Sequence, residues 1–347
     1  MAVSIGDVAK RAGVSISTVS YVLNDGPRRV RPELTQKVLA AVQDLDYRPS
    51  RIARSMVTRR SGAIGIIHAP IHYDPAGGTF VQTVLNGIAA EAQRLRHDLL
   101  LYTNALIDKP ERALADVDDG RADGLIVIAP GRPDQLIDML AERSRPMVII
   151  AGCRRPNVPY ILGDNIAGME AAFDHLLKLG HRKIGHIHGG IDFQDGQERY
   201  ETYQRLIKEH GLPFEKKWLV GGQFSGPKTK EWAIRMLSAS HRPTAILAGN
   251  DQMAVDVALG ARELGLCVPH DLSIVGFDDI LPAQLMHPPL TTVAQPLEAF
   301  GAAAVRNIDL ILSGQSAPDL LRFPTTLVVR ESTAKAVVPS TVTAQGA

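Results

Sequence analysis

At 347 residues the chain exceeds what one ordinary core fills, so two or three domains are expected. An apolar share of 45% and a charged share of 22% exclude a disordered or fibrous chain, and no apolar run reaches the length of a bilayer span. The net charge of +1 hides a segregation: residues 1–61 carry eleven Lys and Arg against five Asp and Glu, a net +6, which leaves −5 for the remainder. A basic end on an acidic body points to a polyanionic partner at that end. The first residues lack the apolar stretch of a signal peptide. Cys153 and Cys267 lie far apart and read as buried thiols in a reducing, cytoplasmic setting.

The run from Ile5 to Asn24 reads as two short helices with a sharp turn. Val8, Ala9 and Ala12 give the first a small apolar face. Gly13 supplies positive φ at the turn, and Ser15 is a natural N-cap for the second helix. Val19, Val22 and Leu23 return at helical spacing, which leaves Ile16, Ser17, Ser20, Tyr21 and Asn24 facing outward. This is a helix-turn-helix pattern, whose second helix suits a DNA major groove. The same topology also serves proteins that never touch DNA. A turn-rich loop follows, then a third helix opening at Pro32 with Leu34, Val38, Ala41, Val42 and Leu45 inward. Tyr47-Arg48-Pro49-Ser50 ends it, and a short segment leads to the basic linker Thr58-Arg59-Arg60-Ser61-Gly62.

Residues 7–24 spell D-V-A-x-x-A-G-V-S-x-x-T-V-S-x-V-L-N, and residues 47–56 spell Y-x-P-S-x-x-A-R-S-M. Both resemble the N-terminus of the lactose/galactose-repressor (LacI/GalR) family, and the likeness runs through the body to about Thr333. The resemblance implies a sequence-specific DNA-binding regulator, most simply a repressor. It puts Ile16, Ser17 and Tyr21 at base edges and Ser15, Thr18, Ser20 and Asn24 on phosphates. Residues 50–61 would be hinge and linker, with Ala53 and Met56 at the minor groove. Met56 stands where the family usually has Leu, so the apolar wedge is kept but is more flexible. The family's partners would follow: a pseudo-palindromic double-stranded operator, a small-molecule effector and a second copy in a homodimer, with no membrane.

From Ala63 on, short apolar strands alternate with helices in two successive runs. They predict an α/β body of two Rossmann-like lobes, of the periplasmic-binding-protein type, behind an α-helical headpiece at residues 1–49. The body spans residues 62–335. The first lobe takes about 62–163 and 294–317, the second about 164–293 and 318–335, with one strand expected over Arg322–Val329. Residues 336–347 read as a disordered tail without the Leu heptads of a tetramerising coil.

In open α/β sheets ligands sit beyond the carboxyl ends of strands, here between the lobes. That rule selects Phe80, Asp164, Phe193, Asp195, Arg199, Phe224 and Asp251. Arg199 with a carboxylate suits vicinal hydroxyls or a nucleobase edge, and Phe80 and Phe224 can stack on a sugar face or a base. The resemblance supports Phe80, Arg199, Phe224 and Asp251 residue by residue. Asp164 and the adjacent Asn165, also at a strand end, read equally well as a helix N-cap and its neighbour. Two departures bear on the ligand. Ala151-Gly152-Cys153 stands where relatives carry an acid, and Phe193 and Asp195 replace small or polar residues. The effector is therefore a sugar or sugar derivative outside the common hexoses, or alternatively a nucleobase or nucleoside acting as corepressor.

The eleven His residues are scattered, and His186 with His188 has no third ligand at metal spacing. Asp278-Asp279 is a poor catalytic pair because adjacent residues point apart. With no nucleophile-elbow or phosphate-loop motif, the expectation is no enzyme, no metal and no cofactor. A solute-binding transport protein shares the body, but would carry a signal peptide and lack the headpiece.

Overall fold

The computed structural model describes residues 3–23, 29–48, 60–68, 78–103, 109–131, 134–222, 224 and 228–336. Asn24, Ala53, Met56 and the tail 337–347 lie outside the described residues. The chain divides into two units, residues 1–62 and 63–347.

The first unit holds helices α1 (Ile5–Ala12), α2 (Ile16–Leu23) and α3 (Pro32–Asp44). Ser4 caps α1, and Asp7 reaches back to the Ser4 N–H at 2.9 Å, so two orphan donors are satisfied together. Gly13 takes φ 66° at the turn. The Ser15 hydroxyl accepts from the Thr18 N–H at 3.1 Å and so caps α2. Pro32 opens α3, where its missing N–H costs nothing. The core is small: Val8, Ala9, Val19, Val38 and Ala41, edged by Val14, Val22, Leu45 and Tyr47. Leu34, expected inward, is only half-buried.

In the second unit β1 (Ala63–His68), α4 (Gly78–Leu95), β2 (Asp98–Leu101), α5 (Pro110–Val117), β3 (Gly124–Ile128), α6 (Gln135–Glu142), β4 (Met147–Ile150) and β5 (Tyr160–Gly163) build the first lobe. The second lobe follows with α7 (Asn165–Lys178), β6 (Ile184–His188), α8 (Gln194–Glu209), β7 (Leu219–Gly221), α9 (Lys228–Leu237), β8 (Ala245–Ala248), α10 (Asp251–Glu263), β9 (Ser273–Asp278), α11 (Leu281–Leu285) and β10 (Thr291–Ala294). Then α12 (Leu297–Leu312) and β11 (Leu320–Phe323) return to the first lobe, and β12 (Thr326–Val328) closes the second. The sheets run β11-β5-β4-β3-β1-β2 and β12-β10-β9-β8-β6-β7, parallel throughout except for β12 against β10.

Each sheet is covered on both faces, which explains its unbroken apolar strands. Ile64, Ile66, Ile126, Ile128, Val148 and Ile150 form one face of the first sheet, with Ile88 of α4 and Ala304 and Ile308 of α12. Ile67, Leu125, Val127 and Ile149 form the other, with Leu114 of α5 and Leu140 of α6.

Three expectations are corrected. The single strand expected over Arg322–Val329 is two strands in different sheets. β11 pairs with β5 and β12 with β10, so the last crossing falls at Pro324-Thr325 and residues 320–323 belong to the first lobe. Proline lacks the N–H that would continue a ladder. β5 was not anticipated, being only four residues behind a proline-rich loop. Cys153 is buried as expected, but Cys267 is exposed in the loop after α10.

Helices α4 and α12 meet at two glycines. A Cβ on Gly87 would lie 1.9 Å from the Glu298 carbonyl oxygen, and one on Gly301 would lie 2.2 Å from that of Val84. Gly87→Ala should therefore destabilise the body by about 1–3 kcal/mol through overpacking, although alanine is the better helix former by about 1 kcal/mol. A lower urea midpoint at unchanged slope would register it.

Candidate functional site

On the headpiece, α2 turns Val19 inward and leaves Ile16 56% exposed at its leading end. Ser17 beside it is exposed, while Thr18, Ser20 and Tyr21 are half-buried. An apolar side chain among hydroxyls at the start of the second helix offers contact to a thymine methyl and hydrogen bonds to base edges or phosphates. The Ser15 and Thr18 hydroxyls share a proton at 2.8 Å, which fixes both at the helix N-terminus, where anions are favoured.

In the second lobe the structure centres on Arg199, which is 3% exposed on α8. Its Nε donates to Asn165 Oδ1 at 2.8 Å and its Nη1 to the Gly249 carbonyl at 2.5 Å. Its Nη2 lies 3.9 Å from Asp278 Oδ1. The guanidinium carbon sits 3.7 Å over the Phe277 ring centre and 5.7 Å from that of Phe224, so the cation is held between aromatic faces. Phe193 meets Phe224 edge-on at 5.7 Å, and the Phe224 carbonyl accepts from Asn250.

Two buried carboxylates, Asp278 and Asp195, feel this cation, and a third, Asp251, feels the charge of Asp278. Burial pushes Asp278 up to about 6, against the pull of Arg199 and a hydrogen bond from Gln295. Asp195 is likewise raised by burial, opposed by Arg199 and by the Gly152 N–H. Asp251 is raised well above the usual range by burial and by the charge of Asp278.

Of the residues chosen from sequence, Phe193, Arg199 and Phe224 come together, with Asp195 next to them. Asp164 is the N-cap of α7, its Oδ1 accepting from the Ala167 N–H at 3.1 Å. Phe80 sits half-buried against the first-lobe core. Asp251 is wholly buried and faces inward: it accepts from the Ile280 N–H at 2.9 Å and from the Thr292 hydroxyl. Through Ile280 it anchors a turn of the second lobe whose side chain joins the first-lobe core.

Asp278 is the functional candidate that residue choice from sequence passed over. Asp278 ends strand β9 and obeys the strand-end rule, but it was weighed only as half of a catalytic pair. Its neighbour Asp279 turns away to Arg330 at 2.7 Å. Asn165, the weaker candidate beside the Asp164 cap, is the side chain that accepts from Arg199 Nε.

Because Asp278 has a higher pKa folded than its ordinary value near 3.8, folding gains from its protonation. That contribution is full below about 3.8 and is lost as pH rises through about 6. Relative to Asp278→Asn, the wild-type protein should therefore become more stable as pH falls across that window. Thermal melts of both at matched ionic strength check it.

Comparison with known proteins agrees with this division. Residues 4–50 match the family described as bacterial regulatory proteins, lacI family, and residues 173–333 match the periplasmic binding protein-like domain. The HTH-type transcriptional repressor PurR of Serratia proteamaculans (strain 568) is 34% identical over 335 residues, covering 95% of this chain and 97% of the relative. PurR of Yersinia pestis (strain Pestoides F) is similar to the same extent. Among solved structures, the Lac repressor dimer bound to operator and the anti-inducer ONPF superposes with a TM-score of 0.83 at 25% identity, covering 96% of this chain and all of that one. The transcriptional regulator CelR–cellobiose complex gives 0.71 at 27%, covering 95% and 99%. With headpiece, two-lobed body and near-full-length similarity in agreement, the chain belongs to the lacI family of bacterial regulatory proteins.

Proposed function

We propose that this protein is a cytoplasmic, homodimeric transcriptional repressor of a pseudo-palindromic operator, controlled by a small molecule held between its lobes, and not an enzyme. The observation that carries this reading is the union in one chain of a helix-turn-helix with an exposed Ile16 and a body whose strand ends converge on a buried Arg199. On DNA, Ile16, Ser17 and Tyr21 read bases, while Ser15, Thr18, Ser20 and Asn24 hold phosphates. Ala53 and Met56 enter the minor groove. Two copies are needed to read two half-sites. Exposed leucines on both lobes supply the dimer face: Leu99 and Leu101 on β2, Leu281 and Leu285 on α11.

The effector is a sugar or sugar derivative. Its hydroxyls donate to Asp278 and accept from Arg199, and its apolar face rests on Phe224, with Phe80 and Phe193 at the edges. The structural neighbour solved with cellobiose supports this class. The second reading, a nucleobase or nucleoside corepressor, draws on the edge-to-face Phe193–Phe224 pair, which offers an aromatic surface for a planar ring. Effector acts by preferring one lobe arrangement, which alters how the dimer presents its headpieces.

A duplex selected from a random pool should be retarded by the protein, with affinity falling steeply as salt rises. Tyr21→Ala should weaken selected DNA by about 1–3 kcal/mol while leaving random DNA nearly unchanged. Equal losses on both would remove the base-reading role. A thermal-shift screen of sugars, sugar acids and nucleosides should find one that raises the melting temperature. Phe224→Ala should abolish that shift and keep DNA binding.

A further inference from the structure

The lobes are joined by more than the chain crossings. Gly152 sits in the turn between β4 and β5 of the first lobe, at φ 75°, where an added Cβ would lie 2.6 Å from the Pro130 carbonyl oxygen. From the second lobe, Asp195 Oδ2 accepts the Gly152 N–H at 2.8 Å. The Gly152 carbonyl in turn accepts the Gln194 N–H at 2.8 Å. One residue of the first lobe is thus gripped at both donor and acceptor by the start of α8. The next residue adds to this, the Cys153 thiol donating to the Asp192 carbonyl. One turn further along α8, Glu198 takes Arg322 of β11 in a two-pronged ion pair at 2.8 and 3.0 Å.

Asn165 stands between these contacts and the effector arginine. It is wholly buried. Its Nδ2 donates to Glu198 at 2.9 Å and reaches Asp195 at 3.4 Å, while its Oδ1 accepts from Arg199 Nε. Burial alone would raise Glu198, but hydrogen bonds from Arg322, Asn165 and Gln194 together hold it below the ordinary carboxylate range. The acid thus stays ionised for its partner.

We propose that Asp195 is a positioning residue that clasps the two lobes, and that Asn165 couples this clasp to Arg199. The proposal rests on reading the interlobe cleft as the effector site. A carboxylate of the second lobe supplies here what the first lobe lacks, since Ala151-Gly152-Cys153 carries no acid. The clasp closes the β4 side of the cleft with protein groups. A ligand that draws the guanidinium toward itself competes with Asn165 for the Nε–H and so changes the grip on Asp195 and Glu198.

Amide hydrogen exchange on the full-length protein, without DNA or ligand, tests this. Peptides covering 151–153 and 192–196 should be protected in the wild type. Asp195→Ala should speed their exchange about tenfold, the factor for one hydrogen bond of ordinary net strength. Asp195→Asn, which keeps an acceptor oxygen, should restore protection. Asn165→Ala should loosen both peptides as well. Peptides over β6 and β8 must keep wild-type exchange, which shows that the second lobe is folded. If Asp195→Ala fails that control, Arg322→Gln on the partly exposed β11 gives the second measurement, with faster exchange expected in the same two peptides. Free exchange of those peptides in the wild type overturns the clasp, as does an Asp195→Asn protein that behaves like Asp195→Ala. Unchanged exchange in Asn165→Ala overturns the coupling. A wild type that is clasped yet fails to bind DNA would count against the repressor reading alone.

Discussion

A guanidinium removed from water must find compensation for its lost hydration, and the body is arranged around the way Arg199 finds it. Phe277 lies beneath it, Asn165 and the Gly249 carbonyl take two of its donors, and Asp278 supplies opposite charge at longer range. The remaining donor capacity and the buried acid are the groups on which the proposed effector site rests. Arg199 draws on Asp195 and Asp278, while Asp251 is held by Thr292 and the Ile280 N–H. Burial lifts all three acids toward their neutral forms.

The same groups hold the lobes in register. Three chain crossings run side by side: the Asp164 N–H donates to the Phe323 carbonyl, Thr325 donates to the Asp164 carbonyl, and Gln295 reaches Asp278. Asp251 fixes the turn that sends Ile280 into the first-lobe core. The helix pair α4 and α12 is pinned by two glycines within the first lobe, which leaves relative motion to the segments between the lobes. The proposed effector site and the lobe contacts therefore share residues, which is what a coupling between binding and conformation requires.

The headpiece obeys a different economy. Its core is five buried side chains, two of them alanines, so capping and turn chemistry carry a large share of its stability. Ser4, Gly13, Ser15 and Pro32 each settle a helix end. The exposed pair Arg11–Asp44, at 2.6 Å between α1 and α3, adds at most about 1 kcal/mol. A small unit built this way spends few residues on burial and leaves one face of α2 for DNA.

The sequence by itself determined whatever is local. The 3.6-residue period, the caps and the turn glycine made the headpiece legible. Alternating apolar strands and helices made the two lobes legible, and the strand-end rule picked out Arg199, Phe193 and Phe224, which the fold brings together. What only the tertiary structure decided is where non-local groups meet. Nothing in Leu320–Val329 says which sheet each half joins until Pro324 is seen to end one ladder and the partners β5 and β10 appear. Asp251 and Asp278 are both acids at strand ends, yet one turns into the protein and the other toward Arg199. Their directions are set by Thr292 and the Ile280 N–H in one case and by Gln295 in the other. Gly152 reads as a missing acid, and only the fold brings Asp195 across 43 residues of chain to fill its place. Burial and hydrogen-bond partners at such distances come from the packed chain, not from any window of it.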